Sequence, residues 1–87
     1  MCAAFNPVQS EAPSVFRFDA RGIAKRFRQP AIFASLDSLR RGETLRVVNE
    51  HDPLQLLDQV VHRYGTAVAV RYLERGDERV VIDFERR

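Results

Sequence analysis

The sequence predicts an α/β fold, a two-layer sandwich in which two helices cover one face of a mixed four-stranded sheet. Four short segments alternate apolar and polar residues, as half-buried strands do. Two longer segments carry apolar residues at helical spacing and separate the first three of these strands. Because β-α-β crossovers are right-handed, the predicted order β-α-β-α-β-β places both helices on the same side of the sheet.

The first half of the domain contains one strand and one helix. Phe16 and Phe18 share one face of the segment 14–19, which predicts a strand with one buried side. A helix is predicted over 30–40, beginning at Pro30. Its apolar stripe consists of Ile32, Leu36 and Leu39, widened by Phe33.

The second half begins with a short apolar strand over 44–48, followed by a helix over 52–64. Asp52 has a good N-cap side chain and Pro53 suits the first helical turn. Gly65 follows the helix at the position where a glycine commonly ends one. The apolar residues at helical spacing are Leu54, Leu57, Val61 and Tyr64, with Leu56 and Val60 alongside.

The chain ends in a predicted β-hairpin. Two β-rich segments, 67–74 and 79–85, are joined by a turn that contains Arg75-Gly76-Asp77. Alternation places one set of apolar side chains on the buried face of both strands. These residues are Val68, Val70, Tyr72, Val80, Ile82 and Phe84.

Length and composition indicate one small globular domain. The chain has 87 residues, of which 45% are hydrophobic and 30% charged. Residues 1–13 lack periodicity and predict a flexible tail, so the single domain covers residues 14–87. No apolar run reaches the roughly 20 residues of a membrane span, and no secretory signal is visible, so a cytoplasmic location is expected. Cys2 is the only cysteine, which excludes an internal disulfide and a multi-cysteine zinc site.

The carboxyl ends of the first two predicted strands form the predicted site. These strands run parallel, so their carboxyl ends and the amino ends of both helices meet at one edge of the sheet, where open α/β sheets bind ligands. We expect six polar residues to converge there: Asp19, Arg21, Asn49, Glu50, His51 and Asp52. Arg21 is expected to contact an anion or carboxylate, His51 to act as a titratable donor, and Asp19 to orient one of them.

Three interpretations of His51 follow from this position. It can hydrogen-bond Asp19 or Asn49 and stabilise the turn before the helix, contact an anion or cofactor, or ligate a metal. One imidazole is too few for a tight zinc or iron site, which takes three or four protein ligands. His62 lies about 15 Å along the second helix and cannot join it. We therefore expect no metal and no cofactor.

A basic segment over 21–28 follows the first strand. It is either a solvated loop or a docking surface for phosphate, nucleic acid or an acidic partner. Its basic residues beyond Arg21 are Lys25, Arg26 and Arg28. RNA binding through this segment is the main alternative to protein binding, although nearly all of the aromatic residues that would stack on bases are assigned to the tail or the core.

Several short motifs resemble the TusA/SirA-like sulfur-carrier superfamily over residues 15–86. They are Asp19-Ala20-Arg21-Gly22, a helix, Gly42-Glu43-Thr44-Leu45, a strand and Asp52-Pro53. The chain is more similar to a sister family of bacterial domains of unknown function, which shares Pro30 and Asn49-Glu50-His51-Asp52-Pro53. Members of that family are often fused to or encoded near hemerythrin-like and other redox proteins. The resemblance implies the sulfur-carrier fold and a redox-linked partner.

The chain departs from the sulfur carriers at the residue that carries sulfur. In those proteins a Cys-Pro-x-Pro motif follows the glycine after two residues, and its thiolate accepts persulfide sulfur. Here Lys25 stands in the place of the cysteine, and Arg26 and Arg28 stand in the places of the prolines. Lysine and arginine cannot hold a persulfide, so sulfur transfer would depend on Cys2, which matches no family motif.

The expected function is therefore a non-enzymatic binding module of sulfur-carrier fold. We expect a protein partner or a small anionic ligand at the predicted edge, and no catalytic residue. Neither a hydrolytic triad nor a glycine-rich phosphate loop is visible. RNA or anionic-ligand binding through the segment 21–28 is the first alternative, and residual sulfur-carrier activity is the second.

Overall fold

A computed structural model describes the backbone of residues 8–12 and 14–87 and the side chains of residues 14–87. The described residues form five strands and two helices, with single 3-10 turns after β2 and after α2. Their bounds are β1 Val8–Ala12, β2 Val15–Asp19, α1 Lys25–Ser38, β3 Thr44–Asn49, α2 Leu54–Tyr64, β4 Val68–Arg75 and β5 Val80–Arg86. No helix in this described part is long and apolar enough to cross a membrane.

The strands form one mixed sheet in the order β1-β2-β3-β5-β4. β2 and β3 are parallel, with Phe18 opposite Val47. β5 is antiparallel to β3 on one side and to β4 on the other, where the two strands form the predicted hairpin. The predicted α/β architecture, with its mixed sheet and two helices, is confirmed.

A fifth strand lies where the sequence predicts a flexible tail. β1 pairs antiparallel with the outer side of β2, with Val8 opposite Phe18. An edge strand attaches through main-chain hydrogen bonds, and the residues of β1 show no alternation that would predict one. Residues 8–12 of the predicted tail therefore form a strand, while residues 1–7 and 13, including Cys2, lie outside the described residues.

The hydrophobic core lies between the two helices and one face of the sheet. Ile32 and Leu36 of α1 and Leu56 and Val60 of α2 belong to the same buried cluster. The sheet contributes alternate residues to it: Phe18, Leu45, Val47, Val68, Val80, Ile82 and Phe84. Because both helices pack against this one set of residues, both lie on the same face, as predicted.

The opposite side of the sheet, here called the open face, carries charged side chains. In register, Arg17 lies opposite Arg46, Arg46 opposite Asp83, and Asp83 opposite Arg71. Asp83 is only 8% exposed, and the Arg46 guanidinium donates to its two carboxylate oxygens at 2.9 and 3.1 Å. The open face thus contains a buried ion pair, which explains how a charged residue lies on a central strand.

α1 begins at Lys25, five residues before its predicted start at Pro30. A proline inside a helix removes one backbone hydrogen bond, which is why the sequence predicts a start there. Arg28 anchors the additional turn, because its Nε donates to the Ile23 carbonyl at 2.6 Å and its guanidinium donates to Glu50 at 2.8 and 3.2 Å. The second half of the predicted basic loop is therefore helical.

α2 is rotated relative to its predicted apolar stripe. Leu56 and Val60 are its buried residues, whereas Leu54 and Val61 are exposed. Seven residues separate Leu54 from Val61, so the two lie on one side of the helix about 10 Å apart. The apolar surface of α2 is wider than the area that the sheet covers. The packing of α2 on the sheet therefore determines which apolar residues are buried.

Candidate functional site

The six predicted site residues lie at one end of the sheet but on both of its faces. This end, where β2 and β3 finish, is here called the site end. Asp19 is opposite Val48 and belongs to the open face, because it follows Arg17 at a spacing of two. Asn49 is opposite the core residue Val80 and belongs to the helix-covered face. The structure therefore separates Asp19 and Arg21 from the turn 49–52.

On the open face, the side chains of Asp19 and Arg21 form an ion pair with each other. The Arg21 guanidinium donates to the two carboxylate oxygens of Asp19 at 2.9 and 2.7 Å, and the Arg21 backbone N–H donates at 3.1 Å. The hydrogen bond from the Arg21 side chain is the main cause that lowers the pKa of Asp19 to about 2. Arg21 would have to leave this pair before it could bind the anion that the sequence predicts.

The folding stability of the Asp19→Asn variant at two pH values tests this ion pair. Because the folded pKa of about 2 is below the ordinary value of 3.8, the carboxylate stabilises the fold above about pH 4 and loses this effect as pH falls towards 2. One third of the Asp19 side chain is exposed, so we expect a loss of only about 1 kcal/mol at pH 7. At pH 2 the variant should unfold like the wild type.

Urea denaturation followed by circular dichroism at both pH values measures this difference. Asp77→Asn, in the exposed turn between β4 and β5, is the control and should change stability little at either pH. Equal destabilisation of Asp19→Asn at pH 7 and pH 2 would show that charge at Asp19 does not stabilise the fold.

On the helix-covered face, Arg28 joins α1 to the turn after β3. Besides its two hydrogen bonds to Glu50, its guanidinium donates to the Asn49 side-chain oxygen at 3.2 Å. The same oxygen accepts a hydrogen bond from the Glu50 backbone N–H at 3.0 Å. The hydrogen bond from Arg28 lowers the pKa of Glu50. Asn49 and Glu50 thus connect two elements and are not available as free ligand groups.

Asp52 does not cap α2, so the predicted cap is wrong. The N-cap residue is Pro53, which makes no side-chain cap hydrogen bond. The Asp52 carboxylate instead accepts a hydrogen bond from the Tyr72 hydroxyl and two from Arg75, at 3.0 and 2.7 Å. The hydrogen bond from Tyr72 and the pairing with Arg75 lower the pKa of Asp52. Asp52 therefore ties the start of α2 to β4.

A β-bulge brings Tyr72 and Arg75 together. In a regular strand, residues three apart point to opposite faces. The register shifts between Tyr72 and Glu74, so that Tyr72 lies opposite Ile82 and Arg75 lies opposite Val80, both of which face the helices. The Arg75 guanidinium lies 4.5 Å from the centre of the Tyr72 ring. No glycine marks this bulge, and sequence reasoning consequently missed both residues as partners of Asp52.

His51 is exposed at the tip of the site end. The oxygens expected to bind it are taken, since Arg21 binds Asp19 and Arg28 binds Asn49. Within residues 14–87, no hydrogen bond involves the His51 side chain, so the predicted stabilising contact does not form. His62 lies in the last turn of α2, away from His51. Across the described residues, no group of three histidine, cysteine or acidic side chains is placed to hold a metal.

Large apolar side chains surround the site end and are exposed. Phe27 in the first turn of α1 is 54% exposed, Leu54 at the start of α2 is 65% exposed, and Leu73 at the bulge is 41% exposed. The Arg26 guanidinium lies 4.7 Å from the centre of the Phe27 ring. Sequence reasoning placed Leu54 on the apolar stripe of the second helix and did not single out Phe27 or Leu73 as exposed side chains.

The three carboxylates of the site end share one electrostatic state. Asp19, Glu50 and Asp52 are all ion-paired, and each has a lowered pKa, so they remain ionised at neutral pH. A general acid needs a raised pKa, and a general base works best with a pKa near the working pH. The carboxylates of the site end meet neither condition. They instead hold the helix starts and β4 in fixed positions around His51.

Residues 17–86 match a protein family described as an uncharacterized conserved protein (DUF2249), and because the match spans most of the chain, the chain belongs to this family. The matched region begins within β2 and includes β3, β4, β5, both helices and all six predicted site residues. Comparison with curated proteins found no match, and neither did comparison with solved structures. The family places the chain among relatives whose description assigns no activity.

Proposed function

We propose that this member of the DUF2249 family is a non-enzymatic binding module that docks a partner protein at the site end. The observation that carries the proposal is the exposure of Phe27, Leu54 and Leu73 at one end of the sheet. Interfaces combine a few large apolar anchors with a surrounding polar rim. The Asp19, Glu50 and Asp52 ion pairs supply such a rim, and they are already ordered before a partner binds.

Pre-ordered side chains matter because association otherwise loses conformational entropy. Immobilising a flexible side chain at an interface costs about 0.5–1.5 kcal/mol. Arg28 and Arg75 are each held by two hydrogen bonds to a carboxylate, so little further ordering is needed when they contact a partner. This supports protein recognition over a small anion, which would have to compete with these internal carboxylates.

The distribution of charge describes the partner. Lys25 and Arg26 begin α1 and form no ion pair with any described residue, whereas Asp77 and Glu78 lie at the exposed tip of the β4–β5 hairpin. A partner that carries carboxylates opposite α1 and basic residues opposite the hairpin would be complementary. RNA, a uniform polyanion, would be repelled by the hairpin tip, so RNA binding gains less support.

The resemblance to the TusA/SirA-like superfamily belongs to the same proposal. Lys25, which stands in the place of the carrier cysteine, is the first residue of α1. We infer a bacterial, cytoplasmic domain of sulfur-carrier ancestry that retains the fold and has lost the thiol chemistry, with a redox-linked protein as its partner. Residual sulfur transfer would require Cys2 to take up a persulfide.

Site-specific crosslinking in the native cells tests the proposal. A photo-reactive p-benzoylphenylalanine is placed at position 27, at position 54, or at the control position 61. Val61 is a matched control, because it is 61% exposed on the same helix as Leu54 but about 10 Å from it. We expect one protein to crosslink at positions 27 and 54 and not at 61.

Binding of that purified protein then measures the contribution of each anchor. Phe27→Asp and Leu54→Asp should each weaken affinity about thirtyfold, which corresponds to the 2 kcal/mol of an interface hot spot. Val61→Asp should leave affinity unchanged. Crosslinks at 61 equal to those at 27 and 54, or crosslinks to RNA, would contradict protein docking at the site end.

A further inference from the structure

The open face contains a depression of about 450 Å³ at the opposite end of the sheet from the site end. Three small side chains on three strands line it: Val15 on β2, Thr44 on β3 and Ala69 on β4. Thr44 lies opposite Val15 in register, and Glu85 lies opposite both Thr44 and Ala69. The depression exists because these short side chains lie beside a row of long ones.

Three charged side chains of this depression, those of Arg71, Glu85 and Arg87, form no ion pair with any described residue. Arg71 and Glu85 are both exposed, and neither forms a hydrogen bond or an ion pair with any residue that the structure describes. Asp83, which lies opposite Arg71, is already bound to Arg46 through both of its oxygens. Arg71 and Glu85 can therefore contact a ligand without first leaving an internal ion pair.

The strand register places Arg71 and Glu85 close together. Arg71 is opposite Asp83 and Ala69 is opposite Glu85, so Arg71 and Glu85 are diagonal neighbours on adjacent strands. Diagonal neighbours are separated by roughly 7–8 Å between their Cα atoms. A ligand that carries a carboxylate and an ammonium group can therefore contact both side chains from within the depression.

We propose that this depression binds a free α-amino acid. Arg71 would bind the ligand carboxylate through two parallel hydrogen bonds, and Glu85 would accept hydrogen bonds from its ammonium group. The methyl groups of Val15, Thr44 and Ala69 would contact an aliphatic ligand side chain. Such a site is independent of protein docking at the site end.

The surroundings disfavour the other ligand classes. Asp83 and Glu85 interrupt the positive charge of the lining arginines, which a polyanion would need as a continuous surface. The described aromatic side chains on the sheet belong to or pack against the helix-covered core; they are Phe16, Phe18, Tyr72 and Phe84. Stacking of nucleic-acid bases needs exposed aromatic rings. A volume of about 450 Å³ lies within the range of small-molecule sites.

Amide chemical shifts of labelled protein titrated with L-leucine test this site. We expect saturable shifts confined to residues around positions 44, 69, 71 and 85. N-acetyl-L-leucine lacks the ammonium group and L-leucinamide lacks the carboxylate, so each should bind at least about tenfold more weakly, as expected for the loss of one charge-assisted contact. Equal binding of the three compounds would contradict recognition of an amino acid.

Two variants assign the contacts. Arg71→Gln and Glu85→Gln should each weaken L-leucine binding about tenfold and leave the fold unchanged, because both side chains are exposed. Arg79→Gln is the matched control, since Arg79 is an exposed arginine that is paired with Glu74 and lies outside the depression. Phe27→Asp should bind L-leucine normally, so failure of partner docking would not affect this test. Absence of saturable shifts, or an equal effect of Arg79→Gln, would overturn the proposal.

Discussion

Replacing Phe84 with alanine is expected to lower the free energy of unfolding by about 3–5 kcal/mol, the usual range for a phenylalanine deleted from a core. Phe84 is fully buried on β5, a central strand, where it lies opposite Leu45 and Val70. A domain of this length has a total stability of about 4–13 kcal/mol. The substitution should therefore leave the protein marginally folded or unfolded at 25 °C.

Urea denaturation followed by circular dichroism measures this loss. Phe27→Ala is the matched control, because the same side chain is removed from a site where it is 54% exposed. The control should change the unfolding free energy by about 0.5 kcal/mol or less. A loss below about 1 kcal/mol for Phe84→Ala would contradict the packing of the helices on this face of the sheet.

Removing Asp83 alone is expected to be the second most damaging change. Asp83→Leu would remove the nearly buried carboxylate that accepts two hydrogen bonds from the Arg46 guanidinium. Breaking a buried ion pair costs about 3–5 kcal/mol, and the partial exposure of Arg46 reduces the expected loss to about 2–3 kcal/mol. Thermal and urea unfolding of the variant measure it directly.

A double-mutant cycle separates the ion pair from the other effects of substitution. When Arg46→Leu is added to Asp83→Leu, both charges of the pair are removed, and stability should recover by at least about 1 kcal/mol. Replacing both partners with apolar residues is often close to neutral. Strictly additive losses would show that the two side chains do not stabilise each other.

The sequence by itself determined the layers of this protein. Alternation in the last strand identified Val80, Ile82 and Phe84 as inward residues, and all three are nearly completely buried. Parallel β2 and β3 followed from the helix between them and bring Asp19 and Asn49 to the same end of the sheet. Such predictions succeed because side-chain direction along a regular strand has a fixed period, whatever the strand packs against.

Only the tertiary structure decided which groups meet at the site end. Arg28 finds Glu50 across 22 positions of sequence, and Asp52 finds Tyr72 and Arg75 across 20 and 23 positions. The contacts of Asp52 depend on a β-bulge that no local residue predicts. Because of these contacts, Asp52 does not act as the helix cap that the sequence predicts. Local patterns describe one element at a time, whereas an ion pair depends on which charges folding brings into contact.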